Sequence, residues 1–386
     1  MQDHTAWINT LATHDKWSLS SWLNPSEATY GIKHVYDHVG LKGYSGKFDE
    51  RIIDLIRGSK DVLYVEKDTM MYANELQRNA PWGLARVSHR KRLTFKDFNK
   101  YDYDENAAGE GIKVYVIDTG INVNHVDFEG RATWGATIPT GDEDEDGNGH
   151  GSHCAGTIAG KRYGVAKKAE PVAVKVLRSN GSGTTSDVVQ GVEWATLTHQ
   201  KAAEAAKKSG AKFKGSVANM SLGGGKSRSL EMAVNGAVDA GVVFAVAAGN
   251  DNADACNVSP AAAENAITVG ASTLSDDRAY FSNYGTCVDV FAPGLNIESI
   301  WRGSKYATNT ISGTSMASPH VAGLAAYLLS TLEQDASPKQ IKDLILSLAT
   351  KNVLTDIGRG SPNLLINNGY ANDFRDLFKD TFAGDY

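Results

Sequence analysis

The stretch VYVIDTGI, residues 114–121, joins a short apolar run to the polar end Asp118-Thr119-Gly120. The run belongs to a predicted strand, Ile112–Ile117, and similar runs recur at Pro171–Leu177, Val217–Ser221 and Val242–Ala248. Helical patterns follow at about residues 150–160, 186–209, 228–240 and 315–333. Nearly continuous apolar strands that alternate with helices indicate a parallel sheet covered on both faces. The sequence therefore predicts an α/β fold with a mainly parallel sheet.

The composition is that of an ordinary globular protein, with 386 residues, 41% of them hydrophobic and 22% charged. This length predicts either two or three domains or one large α/β domain with an appendage. The net charge of −6 argues against non-specific nucleic-acid binding. No segment approaches the roughly 18–20 continuous apolar residues of a membrane span. We therefore expect neither a nucleic-acid partner nor a membrane span.

The segments that flank the alternating pattern are predicted to form separate parts. Residues 1–74 have the pattern of a small α+β unit, with predicted helices at Asp3–Asp15 and Asp49–Arg57 and predicted strands at Ile32–Val39 and Val62–Val65. Residues 79–106 are polar and irregular, with a basic run from Arg86 to Lys96. The end of the chain is polar and aromatic without clear periodicity, and we assign it no role. The expected parts are residues 1–74, 75–367 and 368–386.

Four polar residues follow strands or open helices, where the ligands of such sheets gather. They are Asp118, His150, Asn250 and Ser315. Taken singly, each fits an ordinary structural role as a turn residue, a loop residue, a strand end or a helix N-cap. Together, in the chain order Asp, His, Ser, they predict a nucleophilic catalytic site.

Acyl-transfer chemistry explains why these residue types are needed. A Ser hydroxyl becomes a good nucleophile when an imidazole accepts its proton, and a carboxylate holds that imidazole in the right tautomer. The Asn250 amide and the Ser315 backbone N–H would donate to the developing oxyanion at the positive end of a helix. Pro319 lacks the N–H that would bond the Ser315 carbonyl, which either loosens the first helical turn or is tolerated there.

The stretch GDEDEDGNGHGSHCAG, residues 141–156, also suggests metal sites. Its first half has the opening spacing of a helix-loop-helix calcium loop, but His153 stands where that loop needs a bidentate Glu. His150, His153 and Cys154 have the one-turn spacing of zinc ligands, so a metallohydrolase is an alternative. We interpret Asp142 to Asp146 as a solvated surface loop, with the alternative that it favours basic residues two to four positions before a cleaved bond.

Several ordered segments carry a family resemblance. VYVIDTGI, GNGHGSHCAGTIAG, NMSLGGG, FAVAAGN and SGTSMASPHVAG resemble the signature segments of the subtilisin-like serine proteases. NAPWGLARVSH and VAVKVLRSNGSGTTSDVVQGVEWA are most similar to the proteinase K branch, and within it to the fungal cerevisin-like, vacuolar proteinase B enzymes. The resemblance runs from about Asn79 to Asn367. It implies a three-layer, subtilisin-like fold and serine endopeptidase activity.

For the candidate site, the resemblance implies a triad of Asp118, His150 and Ser315, with Asn250 as the oxyanion donor. His150 would take the Ser315 proton, and Ser315 would form an acyl-enzyme that water hydrolyses. No cofactor is required for this chemistry. The rival interpretation is a catalytically silent, peptide-binding pseudoprotease held by its own propeptide. The four intact positions argue against it.

Two further segments resemble those that sandwich a substrate peptide as an antiparallel strand, Gly181-Ser182-Gly183 and Ser221-Leu222-Gly223. Such recognition uses backbone hydrogen bonds, which are indifferent to side chains. Ala247, Ala248 and Gly249 would form one wall of the pocket for the residue before the scissile bond. Because these residues are small, the resemblance implies broad specificity with an apolar or aromatic preference in that pocket.

Residues 1–74 resemble the inhibitory propeptide of the family, a four-stranded, ferredoxin-like unit that assists folding and then blocks the cleft. Its usual first strand would precede Asp3, so we expect this strand and a signal sequence to be missing. Autocatalytic cleavage of the zymogen would fall within Asn74–Arg78, with Asn74 as the last residue of the propeptide. The expected product is a monomeric protease that acts on polypeptides, either in the vacuolar lumen or after secretion.

The cysteines and one carboxylate also have counterparts in the family. Cys154 corresponds to a free thiol beneath the catalytic histidine, and Cys256 and Cys287 would form a disulfide if the protein matures in an oxidising lumen. Asp289 matches a carboxylate that binds structural calcium in this branch, together with backbone carbonyls near Glu264 and Ala266. Three N-x-[ST] sequons add weak support for a secretory route, at Asn180, Asn219 and Asn257.

Overall fold

The computed structural model describes residues 4–8, 10, 31–36, 42–66, 75–106, 108–332 and 335–370. The chain divides into two units, Met1–Tyr72 and Ala73–Tyr386, and each is described by itself. None of the helices in these ranges is long and apolar enough to cross a membrane.

In its described part, the first unit packs helical side chains against a two-stranded antiparallel sheet. Its elements are strand β1, Gly31–Tyr36, strand β2, Gly43–Lys47, and helix α1, Glu50–Arg57. Asp49 caps α1 by accepting a hydrogen bond from the Ile52 backbone N–H at 2.9 Å. Ile52 and Ile56 lie one turn apart on the buried face of α1 and pack with Ile8.

The structure confirms some of the predictions for this unit and contradicts one of them. Helix α1 and the strand that begins near Ile32 are confirmed over the described residues. The predicted strand Val62–Val65 is wrong, because these residues form no ladder and Leu63 is 93% exposed. An apolar run becomes a strand only where a partner strand and a covered face are available. Most of the predicted helix Asp3–Asp15 lies outside the described residues, and residues 4–8 are helical.

The second unit contains most of the secondary structure. Its strands are β3, Glu75–Arg78; β4, Lys100–Tyr103; β5, Lys113–Asp118; β6, Thr133–Thr137; β7, Glu170–Lys175; β8, Ser216–Met220; β9, Gly224–Gly225; β10, Val242–Ala247; β11, Val258–Ser259; β12, Ile267–Ser272; β13, Val290–Pro293; β14, Ile297–Ile300; β15, Thr308–Ile311; β16, Thr350–Lys351; and β17, Leu364–Leu365. Its helices are α2, Trp82–Ser88; α3, His150–Ala159; α4, Thr185–Ser209; α5, Arg228–Asp239; α6, Thr314–Thr331; and α7, Pro338–Leu348.

Nine of these strands form one sheet with the order β16-β17-β13-β12-β10-β8-β5-β7-β6. All neighbours run parallel except β16 and β17, which pair antiparallel. Alternate residues of β5 point to opposite faces, so Val114 and Val116 join one apolar cluster while Tyr115 and Ile117 join the other. Helices α3, α6 and α7 cover the first face, and α4 and α5 cover the second. The predicted three-layer α/β fold with a mainly parallel sheet is therefore confirmed.

Part of the segment predicted to be irregular, residues 79–106, is ordered by pairing. Helix α2 lies in it, and β4 pairs antiparallel with β3 from the residues just before. Arg86, the first residue of the basic run, is fully buried, and its Nε atom donates to Asp276 at 2.7 Å. An ion pair offsets the cost of burying both charges, and polar composition alone does not reveal such a pair.

Candidate active site

Three elements bring polar side chains to one edge of the nine-stranded sheet. Strand β5 ends at Asp118, helix α3 begins at His150, and helix α6 begins one residue before Ser315. Asn250 follows the end of β10 and bonds to the start of α6. Carboxyl ends of parallel strands and amino ends of helices are the positions where α/β folds bind ligands. Residues predicted from separate motifs thus meet at one edge.

Asp118 holds His150 through its Nδ1 atom. The two carboxylate oxygens lie 2.8 and 3.0 Å from Nδ1. The Asp118 side chain is fully buried and also accepts a hydrogen bond from the Thr119 backbone N–H at 2.7 Å. Because Nδ1–H donates to a carboxylate, Nε2 is left as the acceptor of the neutral ring. This is the tautomer that a general base needs.

The pKa of His150 is raised above its ordinary value. Burial alone would lower it, but the charge of Asp118, its hydrogen bond to Nδ1 and the charge of Asp146 together outweigh burial. His150 therefore binds a proton more tightly than a free imidazole does. That property suits a group that must take up a proton during a reaction.

Asp146 ties together the turn that precedes His150. Its two carboxylate oxygens accept five hydrogen bonds, and the donors include the Gly149 N–H at 2.8 Å, the Thr119 hydroxyl at 2.9 Å and the Ser152 hydroxyl at 2.6 Å. The side chain is buried. A carboxylate bonded to backbone N–H groups at a helix start is stabilised by those donors and by the helix dipole. Asp146 thereby fixes the position from which His150 projects.

The interpretation of Asp142–Asp146 as a solvated loop is correct for residues 143–145, which are exposed, and wrong for Asp146. Asp142 also has internal partners, since its carboxylate lies 3.6 Å from Lys175 Nζ and 4.0 Å from Arg178 Nη1. The charges at both ends of the loop are therefore compensated within the protein.

The Ser315 hydroxyl donates to the Ser221 carbonyl at 3.0 Å. In return, the Ser315 carbonyl accepts from the Ser221 hydroxyl at 2.8 Å and from Cys154 Sγ at 3.4 Å. These donors stand in for the helical N–H that Pro319 lacks. Because α6 runs unbroken through Pro319, the first turn tolerates the proline and is not loosened. Two side chains from outside the helix satisfy the backbone at Ser315.

His153 and Cys154 do not join His150 in a zinc site. His153 Nε2 lies 2.9 Å from the Ile297 carbonyl, and burial lowers the pKa of this histidine to about 3. Among the described residues, the group with metal-ligand spacing is Asp118, His150 and Cys154, so His153 is outside it. The zinc alternative is therefore wrong in its ligand set. Cys154 is a free, buried cysteine, and burial raises the pKa of its thiol well above the ordinary value, which keeps it protonated and unreactive.

Asn250 and Ser315 present two donors to the same space. Asn250 Oδ1 accepts from the Thr314 backbone N–H at 2.8 Å and from the Thr314 hydroxyl at 2.9 Å, which turns its Nδ2 away from these contacts. A Cβ atom built on Gly313 would lie 3.5 Å from the Ser315 backbone nitrogen and 3.7 Å from Asn250 Nδ2. Both nitrogens therefore lie near Gly313, at the start of α6.

A cleft of about 440 Å³ leads to His150. Its walls include both predicted substrate segments, Gly181–Gly183 and Ser221–Gly223. Apolar side chains of Leu177, Val188 and Leu230 line the same cleft. Ala247, Ala248 and Gly249 do not line this cleft, and the two alanines are buried.

The model of the subtilase family matches residues 109–369, which span the whole of this site. The chain belongs to the subtilase family. Residues 1–74 match a second family, peptidase inhibitor I9, so an inhibitor-type propeptide precedes the peptidase.

Relatives of this subtilase are fungal proteases. A subtilisin-like protease of Coccidioides posadasii is 62% identical over 384 residues, covering 95% of this chain and 77% of its own length. The subtilisin-like serine protease Pen c 2 of Penicillium citrinum is 62% identical over 366 residues, covering 91% of this chain and 80% of its own length. A crystal structure of a cold-adapted subtilisin-like serine proteinase is 47% identical, with a TM-score of 0.67, and the match covers 75% of this chain and 98% of the other. This subtilase is a serine endopeptidase, a class whose chemistry needs no cofactor. The silent peptide binder has no support.

The cysteine predictions for this subtilase agree with the structure. Cys256 and Cys287 form a disulfide, with their Cα atoms 5.3 Å apart. Cys287 packs at the edge of an apolar cluster, and Cys256 precedes β11, whose Ser259 lines the cleft. The disulfide therefore braces a segment that ends in the substrate cleft.

The calcium prediction at Asp289 needs correction. Lys342 Nζ lies 2.9 Å from Asp289 Oδ1, 2.7 Å from the Ala266 carbonyl and 3.2 Å from the Glu264 carbonyl. These three groups are the expected calcium ligands, and all of them contact the ammonium. A calcium ion bound by the same oxygens would overlap it, so the residues present do not fit this metal.

Three polar residues with internal partners escape sequence reasoning, namely Asp146 and Lys175 near the subtilase site and Lys342 beside Asp289. Polar side chains are usually exposed, so their burial is not expected from composition. Lys175 is fully buried, and its Nζ atom donates to the Thr119 carbonyl at 2.9 Å and to the Leu177 carbonyl at 3.1 Å. Its position inside an apolar strand run was the available signal. For Asp146 the signal was its place one helical turn before His150.

Proposed function

We propose that this serine endopeptidase cleaves peptide bonds through a triad of Asp118, His150 and Ser315, with Asn250 in the oxyanion site. The supporting observation is the paired contact of Asp118 with His150 Nδ1, at 2.8 and 3.0 Å. The Ser315 hydroxyl bonds to Ser221, which lines the same cleft as His150. Three further features suit acyl transfer. They are the fixed tautomer of His150, its raised pKa, and the two donors near Gly313, which are the Ser315 backbone N–H and the Asn250 side-chain amide.

The proposed reaction begins when the Ser315 hydroxyl leaves the Ser221 carbonyl and hydrogen-bonds to His150 Nε2. Ser315 Oγ attacks the substrate carbonyl carbon while Nε2 takes its proton, and Asp118 stabilises the imidazolium. The Asn250 amide and the Ser315 N–H donate to the oxyanion. The imidazolium then protonates the departing amine, which leaves an acyl-enzyme. Water, deprotonated by His150, hydrolyses this ester and restores the hydroxyl of Ser315.

Broad specificity follows from the walls of the cleft. The segments Gly181–Gly183 and Ser221–Gly223 line it, and in our proposal they bind a peptide backbone between them. Leu177, Val188 and Leu230 favour an apolar side chain on the non-primed side. Ala247–Gly249 remain our proposal for the wall of the pocket that receives the residue before the scissile bond.

We further propose that the chain is a zymogen, with a propeptide at 1–74, a peptidase domain at 75–367 and a tail at 368–386. Strand β3 begins at Glu75, so a cut after Asn74 would leave it intact, whereas a cut within 75–78 would divide it. The disulfide supports passage through an oxidising compartment on the way to a vacuolar lumen or secretion. Asn180 and Asn257 are exposed sequons, while the sequon at Asn219 is fully buried. A monomer is proposed.

The test uses a fluorophosphonate probe on the processed protein, with and without a chelator. We expect one label, on Ser315, that survives chelation. Ser315→Ala should abolish labelling, and Ser304→Ala, an exposed serine away from the cleft, should not. Failure of the processed enzyme to label, or equal labelling of the Ser315→Ala variant, would overturn the proposed triad.

A further inference from the structure

Lys342 ends in a cluster of oxygens at one end of the peptidase unit. Its Nζ atom lies within 3.2 Å of Asp289 Oδ1 and the carbonyls of Ala266 and Glu264. An ammonium has three N–H donors, and here each can meet one oxygen. The lysine side chain is 17% exposed and the aspartate side chain 23% exposed, so the pair is largely removed from water.

The oxygens around the ammonium are held in place by the sheet and its loops. Asp289 Oδ2 accepts from the Thr268 backbone N–H at 2.8 Å, which directs Oδ1 toward Lys342. Thr268 belongs to β12, and Asp289 directly precedes β13, the next strand of the sheet. The carboxylate and the carbonyls just before β12 are therefore positioned by the sheet and its hydrogen bonds as well as by the lysine.

Helix α7, which carries Lys342, is also held firmly in place. A capping box between Ser337 and Gln340 fixes the start of the helix, and Ile341 and Ile345 are buried against the core. Lys342 follows Ile341 directly, and from this anchored helix its charged end reaches the oxygens. The lysine joins α7 to two separate segments of the sheet layer.

One carboxylate and two carbonyls are the kind of oxygen ligands that a hard cation binds. Calcium–oxygen distances are about 2.3–2.6 Å, somewhat shorter than the contacts of Lys342. These three oxygens are thus ligands of the type that a cation site uses. A small inward movement of the oxygens would bring them to calcium–oxygen distances. Two positive charges cannot share this space, so the ammonium and a metal exclude each other.

We propose that the Lys342 ammonium permanently replaces a structural cation at Asp289, and that removing it uncovers a latent calcium site. The wild-type fold is then independent of calcium at this position. The Asp289 side chain is only 23% exposed and lies 2.9 Å from the ammonium, so loss of Lys342 leaves a poorly solvated carboxylate that needs a new counter-ion. Calcium supplies it, with water completing the coordination shell.

The experiment compares Lys342→Ala with Lys339→Ala, both in the full chain carrying Ser315→Ala so that autolysis does not interfere. Lys339 is the matched control because it lies on the same helix and its ion pair with Asp343 is exposed. Thermal unfolding is recorded in chelator and in calcium, and calcium binding is titrated by calorimetry. Neither readout uses protease activity, so the result does not depend on the proposed catalytic function.

In chelator, Lys342→Ala should unfold at a lower temperature than the control. Calcium should raise its Tm by on the order of 3–4 °C more than that of the control once it exceeds its Kd about a hundredfold. Calorimetry should show one additional calcium ion per chain. Adding Asp289→Asn to Lys342→Ala should remove both the extra shift and the extra ion.

If Lys342→Ala folds only in calcium, that result also supports the proposal. If it folds in neither condition, the double variant Lys342→Met, Asp289→Asn decides, because it removes both charges and should fold without a calcium response. Absence of an extra calcium shift in a folded Lys342→Ala protein would overturn the proposal. So would a wild-type calcium shift that Asp289→Asn abolishes, since the ammonium would then not exclude the metal.

Discussion

Asp146 is the residue whose role differs most from its sequence context. It sits in an acidic run yet is buried beneath the turn that carries His150. Its carboxylate bonds both the backbone of that turn and the Thr119 hydroxyl, which in turn accepts from the Gly151 N–H at 2.9 Å. It therefore acts on His150 in two ways, through position and through charge. We regard it as a positioning residue, because it does not touch the reacting atoms.

The substitution Asp146→Asn removes the negative charge of Asp146 but keeps the size and shape of its side chain. His150 acts as a base only when neutral, so activity rises with pH through its pKa. The negative charge of Asp146 helps raise that pKa, and its loss should move the acid limb of the kcat/KM profile to lower pH, by less than about one unit. The measurement is a pH–rate profile on a peptide substrate.

Asp144→Asn is the control for this prediction, because Asp144 is exposed and accepts a hydrogen bond from the Thr137 hydroxyl at 2.6 Å without contacting the turn. It should leave the acid limb in place. Equal shifts in the two variants would mean that net charge, not the specific position of Asp146, sets the pKa of His150.

The role of a residue could be predicted from the sequence where that residue stands at the end of a predicted strand or the start of a predicted helix. Asp118, His150 and Ser315 stand at strand ends and helix starts, and the structure brings Asp118 into contact with His150 there. Asp146 and Lys342 could not be placed in the same way, because their roles depend on burial and on partners distant in sequence. The Ser315 carbonyl is a similar case, since its donors lie 94 and 161 residues away.

At the scale of elements, long apolar strands and helices were predictable and short paired strands were not. Strands β5, β8 and β10 lie within a residue or two of their predicted bounds, since each carries an apolar run that is buried on both faces. The antiparallel pair β3 and β4 and the two-residue strands β9 and β11 carry no such signal. Their positions are set by pairing, which becomes visible only in three dimensions.

Strand β11 shows how an element without its own pattern is stabilised. It is two residues long, pairs antiparallel with β9 and follows directly after the short helix that carries Cys256. Ser259 at its end lies in the substrate cleft. The disulfide to Cys287 closes a loop of 31 residues around this segment. It should contribute to the stability of the fold and of this part of the cleft.

Replacing both Cys256 and Cys287 by Ala should lower the free energy of unfolding by about 3–4 kcal/mol, as expected for a loop of this length. The measurement is the urea midpoint of the full chain carrying Ser315→Ala. Reduction of the intact disulfide with a thiol reagent should reproduce the loss, and the same reagent should have no effect on the double variant. A double variant as stable as its parent would show that the disulfide adds nothing to the free energy of unfolding.

At the scale of the whole molecule, the chain combines an inhibitor family and a peptidase family in one polypeptide. The boundary between the two units lies at residues 72–73, close to the proposed cut after Asn74. Glu75 pairs with Tyr103 in the antiparallel pair of β3 and β4, so the first residues of the proposed peptidase are part of its own structure. A propeptide that is cut but still bound would keep the enzyme inhibited until it is lost.

Maturation gives the last prediction. Expressed protein with an intact site should appear as two fragments, and the larger should begin at Glu75 on N-terminal sequencing. Ser315→Ala should remain a single chain of 41.3 kDa, because no acyl-enzyme can form.

If the cut is intramolecular, its rate in a freshly refolded sample should not change when the protein is diluted. Cleavage of the Ser315→Ala chain at the same bond without added protease would contradict autoprocessing, whereas a rate that falls in proportion to concentration would point to one molecule cutting another. A larger fragment that starts within 76–78 would instead place the cut inside β3, and would mean that this strand pairs with β4 only in part once the propeptide has gone.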